Sequence, residues 1–138
     1  MRSKIIISLI VSFFLTSCFG LFDSESDRII DKYIVLWIDL EENRCISEQF
    51  EKNSAGSSVI VPPYVFAAGH NEEFIIAKQH PSEDFNTTNY FIIDMHRKIK
   101  KNGEKVFGPL TRKQFDSLRT ELRIRDIKFD LKYPEQPF

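Results

Sequence analysis

Phe74-Ile75-Ile76-Ala77-Lys78-Gln79 and Tyr90-Phe91-Ile92-Ile93-Asp94-Met95 are the two runs on which the fold turns. Both are short, rich in β-branched and aromatic residues, and apolar at odd and even positions alike. A strand with one wet face alternates apolar and polar residues, so these two are expected inside a sheet rather than on its rim. Gly69-His70-Asn71 reads as a turn before the first run, and Pro81–Asn89 reads as a loop between the two. An antiparallel hairpin across that loop would set Gln79 beside Asn89, and Met95 would then lie beside Glu73.

Upstream, Tyr33-Ile34-Val35-Leu36-Trp37-Ile38 has the same two-faced character and reads as a central strand. Asp39–Asn43 is a polar turn, Arg44–Phe50 a strand, and Glu51–Ser58 a loop of serine, asparagine and glycine. Val59-Ile60-Val61 starts another strand, which Pro62-Pro63 must end or push to a sheet edge, and Tyr64–Ala67 resumes it. Downstream, Thr111-Arg112-Lys113-Gln114 has the form of a capping box, with Leu110 and Phe115 as its hydrophobic staple. Phe115, Leu118 and Leu122 recur at helical spacing and give the helix one face to pack on the sheet. Gly108-Pro109 is expected to stop the preceding strand and set up the helix entry. Ile127–Leu131 alternates as a half-buried strand near an edge would. The sum is an α+β fold: a mostly antiparallel sheet of about five or six strands, with one C-terminal helix packed on it.

The first residues carry an address. Arg2 and Lys4 precede an apolar run, Ile5–Leu15, and Leu15-Thr16-Ser17 supplies the small residues that a signal peptidase accepts. An apolar run of about 11 residues is too short to cross a bilayer core of ~30 Å. Leu15-Thr16-Ser17-Cys18 resembles the bacterial lipobox, whose cysteine receives a diacylglyceryl group and becomes the new N-terminus. The resemblance implies a lipoprotein held to an envelope membrane through lipid on Cys18. Phe19, where some bacterial lipoproteins carry a retention aspartate, leans the expected address toward the outer membrane. The expected organisation is a signal peptide over residues 1–17, a lipidated tether over 18–28, and one α+β domain over 29–138.

Three further pieces resemble a family of small, functionally uncharacterised bacterial lipoproteins: Phe74–Gln79, Tyr90–Asp94, and Phe107-Gly108-Pro109-Leu110-Thr111 leading into the helix. The resemblance spans roughly Tyr33 to Ile124, agrees with the lipid address, and implies no activity.

Charge and composition exclude more than they name. The 19 lysines and arginines nearly balance 20 aspartates and glutamates, and loss of Arg2 and Lys4 with the leader moves the net charge to about −3. No concentrated basic face for nucleic acid follows, because Arg97-Lys98-Ile99-Lys100-Lys101 reads as a solvated loop. Assigning Cys18 to lipid leaves Cys45 as the other of two cysteines, expected as a small buried side chain on a strand. Lys78 and Asp94 are expected to face solvent at strand ends, with Lys78 placed opposite Tyr90 or Asn89. Trp37 is expected in the core. No cofactor motif occurs, and no metal site is written in the spacing. The hairpin register brings His70, Asn71, Glu72 and His96 to one end of the sheet. That polar cluster is the only constellation from which a small metal-binding protein or hydrolase could be built. The principal expectation is an envelope binding or scaffold module, with a protein or glycan partner and no reaction of its own.

Overall fold

The computed structural model describes residues 24–82, 84–97 and 105–135. The leader, Cys18 and Phe19, and residues 98–101 of the basic run lie outside the described residues. Among the described residues, nine strands and one α-helix follow in chain order, with a short 3-10 turn at Glu41–Asn43: β1 (Ser24–Ile30), β2 (Tyr33–Ile38), β3 (Cys45–Gln49), β4 (Ser57–Val61), β5 (Val65–His70), β6 (Phe74–Gln79), β7 (Asn89–Asp94), β8 (Val106–Leu110), α1 (Arg112–Glu121) and β9 (Leu131–Lys132). All described pairings are antiparallel.

The fold is mostly antiparallel sheet with a single helix, as the sequence pattern implies. Its strands divide between two sheets, ordered β1-β2-β3-β4 and β8-β7-β6-β5-β9. The division follows from the side-chain parity of β6 and β7. Ile75, Ala77, Phe91 and Ile93 point to one side and meet Val35, Ile46 and Val61 of the first sheet. Ile76, Tyr90 and Ile92 point to the other side and meet Phe115 of α1. Two apolar faces need two covers, and each fully buried large apolar side chain contributes about 1.5–3 kcal/mol. The molecule is therefore three layers: sheet, sheet, helix. The chain crosses between sheets at Pro62-Pro63-Tyr64, where Tyr64 takes a positive φ of 72°.

The hairpin register is the expected one, with Gln79 opposite Asn89 and the Met95 amide donating to the Glu73 carbonyl at 2.9 Å. The capping box is present with both bonds: Thr111 accepts from the Gln114 amide, and the Gln114 side chain accepts from the Thr111 amide. Phe115 is fully buried and stacks on Tyr90 with ring centroids 4.8 Å apart.

Four expectations are corrected. Ser24–Arg28, placed in the tether, form most of β1: an edge strand is held by its backbone, so exposed polar side chains did not betray it. The first turn lies at Asn71–Glu73, because His70 still pairs with Ile75 as the last residue of β5. Gly108 and Pro109 lie inside β8, joined by a cis peptide bond, at an irregularity in its pairing with β7. A proline is tolerated there because β8 is the sheet's edge. Ile127–Asp130 is not strand, and only Leu131–Lys132 pairs, with Ala67 and Ala68. Ile127 instead buries its side chain under the helix, and the following chain passes so close to Gly69 that a Cβ there would sit 1.8 Å from the Lys128 carbonyl oxygen.

One side of the sandwich is latched. The Tyr133 hydroxyl donates to Asp27 Oδ2 at 2.9 Å, joining the chain after β9 to β1. The buried Arg44 guanidinium lies 4.5 Å from the Tyr133 ring centroid and 5.3 Å from that of Trp37. Trp37 thus packs against the core with its ring edge-on to Tyr133.

The helix is held by its core contact more than by its cap. Phe115→Ala is expected to cost about 3–5 kcal/mol, and Thr111→Ala about 1 kcal/mol. Urea unfolding of both variants measures the two, and equal losses would contradict the assignment.

Candidate functional site

The sheets part on the side opposite the Tyr133 latch. There β4, the last strand of the first sheet, and β8, the edge of the second, border a cleft of about 530 Å³. Its apolar lining comes from Ile60, Phe91, Val106 and Pro109, with Gln79 and Asn89 as its amides, and among the described residues no ionisable side chain lines it. Gly108 is required in this wall: its φ of +148° and a Cβ that would meet the Phe91 ring at 2.4 Å exclude any side chain.

Both ends of the cleft are built from hydrogen-bonded groups. At one end the Gln79 side chain donates to the Pro63 carbonyl at 2.8 Å and accepts from Asn89 at 3.1 Å. Beside it His80 is buried, stacked on Phe66 at 4.3 Å, with Nδ1 2.7 Å from the Thr87 carbonyl oxygen. A carbonyl only accepts, so Nδ1 carries the proton. This histidine holds the loop after β6.

At the other end, next to Val106, an ion pair joins the sheets. Lys105 Nζ lies 2.8 Å from both oxygens of Glu48 on β3, and Lys32 Nζ lies 2.6 Å from one of them. Tyr33 donates to the same carboxylate at 3.4 Å, and the Lys105 ammonium sits 5.0 Å from its ring centroid. Burial alone would raise the Glu48 carboxyl, but the hydrogen bonds and charges of Lys105 and Lys32 outweigh it and hold the group below its ordinary value. The Tyr33 hydroxyl is pushed up by its own burial and by the neighbouring carboxylate.

The residues singled out from sequence lie elsewhere. His70, Asn71, Glu72 and His96 do share one end of the second sheet, but β6 separates the strands leading to the two histidines, placing about 9.5 Å of sheet between them. Asn71 is engaged in its own turn, accepting from the amides of Glu73 and Phe74 at 2.9 and 2.7 Å. Asp94 is engaged likewise, accepting from the amides of His96 and Arg97 and pairing with the Arg97 guanidinium at 3.0 Å. Among the described residues, no three His, Cys, Asp or Glu side chains are grouped as a metal would require. Lys78 lies opposite Tyr90 with its ammonium 4.7 Å from the Phe129 ring centroid.

Cys45 is a buried strand residue whose thiol touches the Leu36 carbonyl at 3.4 Å. Burial pushes that thiol up despite the Ser47 hydroxyl beside it, so it stays protonated at neutral pH.

The cleft was not visible in the sequence as a site, although two of its walls left marks. Pro62-Pro63 implies a strand that ends or is pushed to an edge, and Gly108-Pro109 implies a strand stop, where the structure has a cis bond inside β8. Their meeting across two sheets was not encoded locally.

The family described as a protein of unknown function, DUF3997, matches residues 30–134, and the chain belongs to it. No curated protein and no solved structure matches the chain.

The Glu48 ion pair makes a pH-dependent contribution to stability. Its folded value is depressed, so the contribution is complete above the ordinary value of 4.5 and fades as pH falls below it. Thermal melts of the wild type are expected to drop more steeply below pH 4.5 than those of Glu48→Gln, which should lose about 3–5 kcal/mol at neutral pH. Parallel acid profiles for the two proteins would refute this role.

Proposed function

Starting from membership of a family without an assigned activity, we propose that this chain is a bacterial lipoprotein whose folded domain is a binding module at the cell envelope. Lipid on Cys18 holds it to the membrane, and the β4–β8 cleft receives an envelope partner.

The cleft carries the binding reading. Its volume of about 530 Å³ falls within the ~300–1,000 Å³ of ordinary ligand sites. Gln79 and Phe91, buried in its wall, fix its inner surface, while Pro62, Ser82 and Pro109 form its exposed rim. Its position, where two packed sheets part, is where a scaffold of this kind has unfilled apolar surface.

The address rests on the Leu15-Thr16-Ser17-Cys18 motif directly after an apolar run. Among the described residues no helix is long and apolar enough to cross a membrane. Two or more acyl chains hold a protein stably without such a helix. Phe19 favours delivery to the outer membrane. From Cys18 to the start of β1 at Ser24 the chain can reach about 20 Å at full extension, which keeps the domain close to the bilayer surface.

Two measurements test the reading in separate parts. Feeding cells a clickable fatty-acid analogue should label the wild type and leave Cys18→Ala unlabelled, whereas label surviving on the variant would overturn the address. A photo-crosslinking residue at Ser82, on the cleft, should give a reproducible adduct with an envelope component in intact cells. The same residue at Lys113, on the exposed face of α1, should not. Identical adducts from both positions, or none from Ser82, would overturn the binding module.

A further inference from the structure

We infer that the cleft takes an extended, uncharged stretch of polypeptide, which adds to the first sheet as a fifth strand alongside β4. The inference rests on the binding reading above and goes beyond it by naming the chemical class of the partner.

Strand edges present rows of unpaired amides and carbonyls, and folded proteins blunt them with charges, prolines, irregularities or brevity. Among the described residues, three of the four sheet edges carry charge, proline or only two residues. β1 carries Glu25, Asp27 and Arg28. β8 contains Gly108-Pro109, and β9 has only two residues. β4 is Ser57-Ser58-Val59-Ile60-Val61, with no charge and no proline before Pro62; its one irregularity is the extra residue Ile60 in its pairing with β3, which leaves Ser57–Val59 in regular register. Among the described residues it has a neighbour on one side only, β3.

The backbone of β4 is turned the right way for this use. Phe50 donates to the Gly56 carbonyl directly opposite it at 3.0 Å, marking that pair as hydrogen-bonded. Antiparallel pairs alternate, so in the register Gln49–Ser57, Glu48–Ser58, Ser47–Val59 the second is hydrogen-bonded to β3 and the first and third are not. Ser57 and Val59 therefore aim their amides and carbonyls at the open side.

The side chains define the rest of the partner. Ile60 lines the cleft, while Val59 is 58% exposed on the outer face of the sheet. An added strand would send alternate side chains into the cleft, against Ile60, Phe91 and Val106, and the others outward beside Val59. Among the described residues no ionisable group lines the cleft to compensate a buried charge, so a charged side chain at an inward position would be penalised. The fitting segment is extended, apolar at alternate positions, and free of charge at those positions.

A displayed library of random nine-residue peptides, panned against the full-length protein in detergent, tests this directly. Enriched peptides should lack ionisable residues at alternate positions. In fluorescence anisotropy, N-methylation of one such peptide at two positions of one parity should weaken binding about tenfold. Methylation at the other parity should leave binding unchanged. Val59→Pro, which removes an outward amide, should weaken binding in the same way, and the methylated peptides keep the test valid if that variant fails to fold. Equal effects at both parities, or enrichment of charged peptides, would overturn strand addition. So would a protein already dimeric through β4, whose edge a second copy occupies. Failure to enrich any peptide, with the Ser82 adduct still formed in cells, would overturn this inference and leave the binding module standing.

Discussion

In the β6–β7 pair, apolar side chains stand on both faces of the same two strands. Everything else in the molecule answers to that constraint. A sheet wet on one side can be covered once, but this one must be covered twice. The four-stranded sheet closes over Ile75, Ala77, Phe91 and Ile93, and α1 closes over Ile76, Tyr90 and Ile92. The capping box that starts α1 at Thr111 sets Phe115 over Tyr90 one turn later.

Two packed sheets leave two open sides, and the protein treats them differently. On the β1 side, the Tyr133–Asp27 bond and the Arg44 guanidinium between two aromatic rings draw the sheets together. On the β4 side, Val61 joins the core, and beyond it a buried ion pair spans the sheets at one end and an amide relay at the other. A buried ion pair stabilises less than an apolar contact of the same size, but its geometry is specific. Glu48 and Lys105 thus define how far apart the edges stand, and the cleft between them follows from that spacing.

The parts legible in the sequence were those that depend on local chemistry. Short β-branched and aromatic runs, apolar at odd and even positions alike, located β2, β6 and β7, and turn residues bounded them. The Gln79–Asn89 register followed from pairing two such runs, and Thr111 with Gln114 announced the helix start. β1 was hidden because edge strands can be polar throughout, and the Ser24–Arg28 stretch reads like a tether. Ile127–Leu131 alternated like a strand, yet a single buried isoleucine under the helix satisfied its pattern. The cleft depends on contacts that no local pattern records. Glu48 and Lys105 stand 57 residues apart, and β4 and β8 belong to different sheets. Lone features misled for the same reason: His70 and His96 reach one end of a sheet without reaching each other.

The central claim is that the core is complete around β6 and β7 while β4, among the described residues, keeps one open, unpaired edge. Amide hydrogen exchange of the free protein, resolved residue by residue by NMR, tests it most directly. The account predicts the slowest exchange at Ile75–Ala77 and Phe91–Ile93, clear protection at Ser58, and fast exchange at its neighbours Ser57 and Val59. Protection of Val59 as strong as that of Ile92 would contradict it, because the edge would then already be covered.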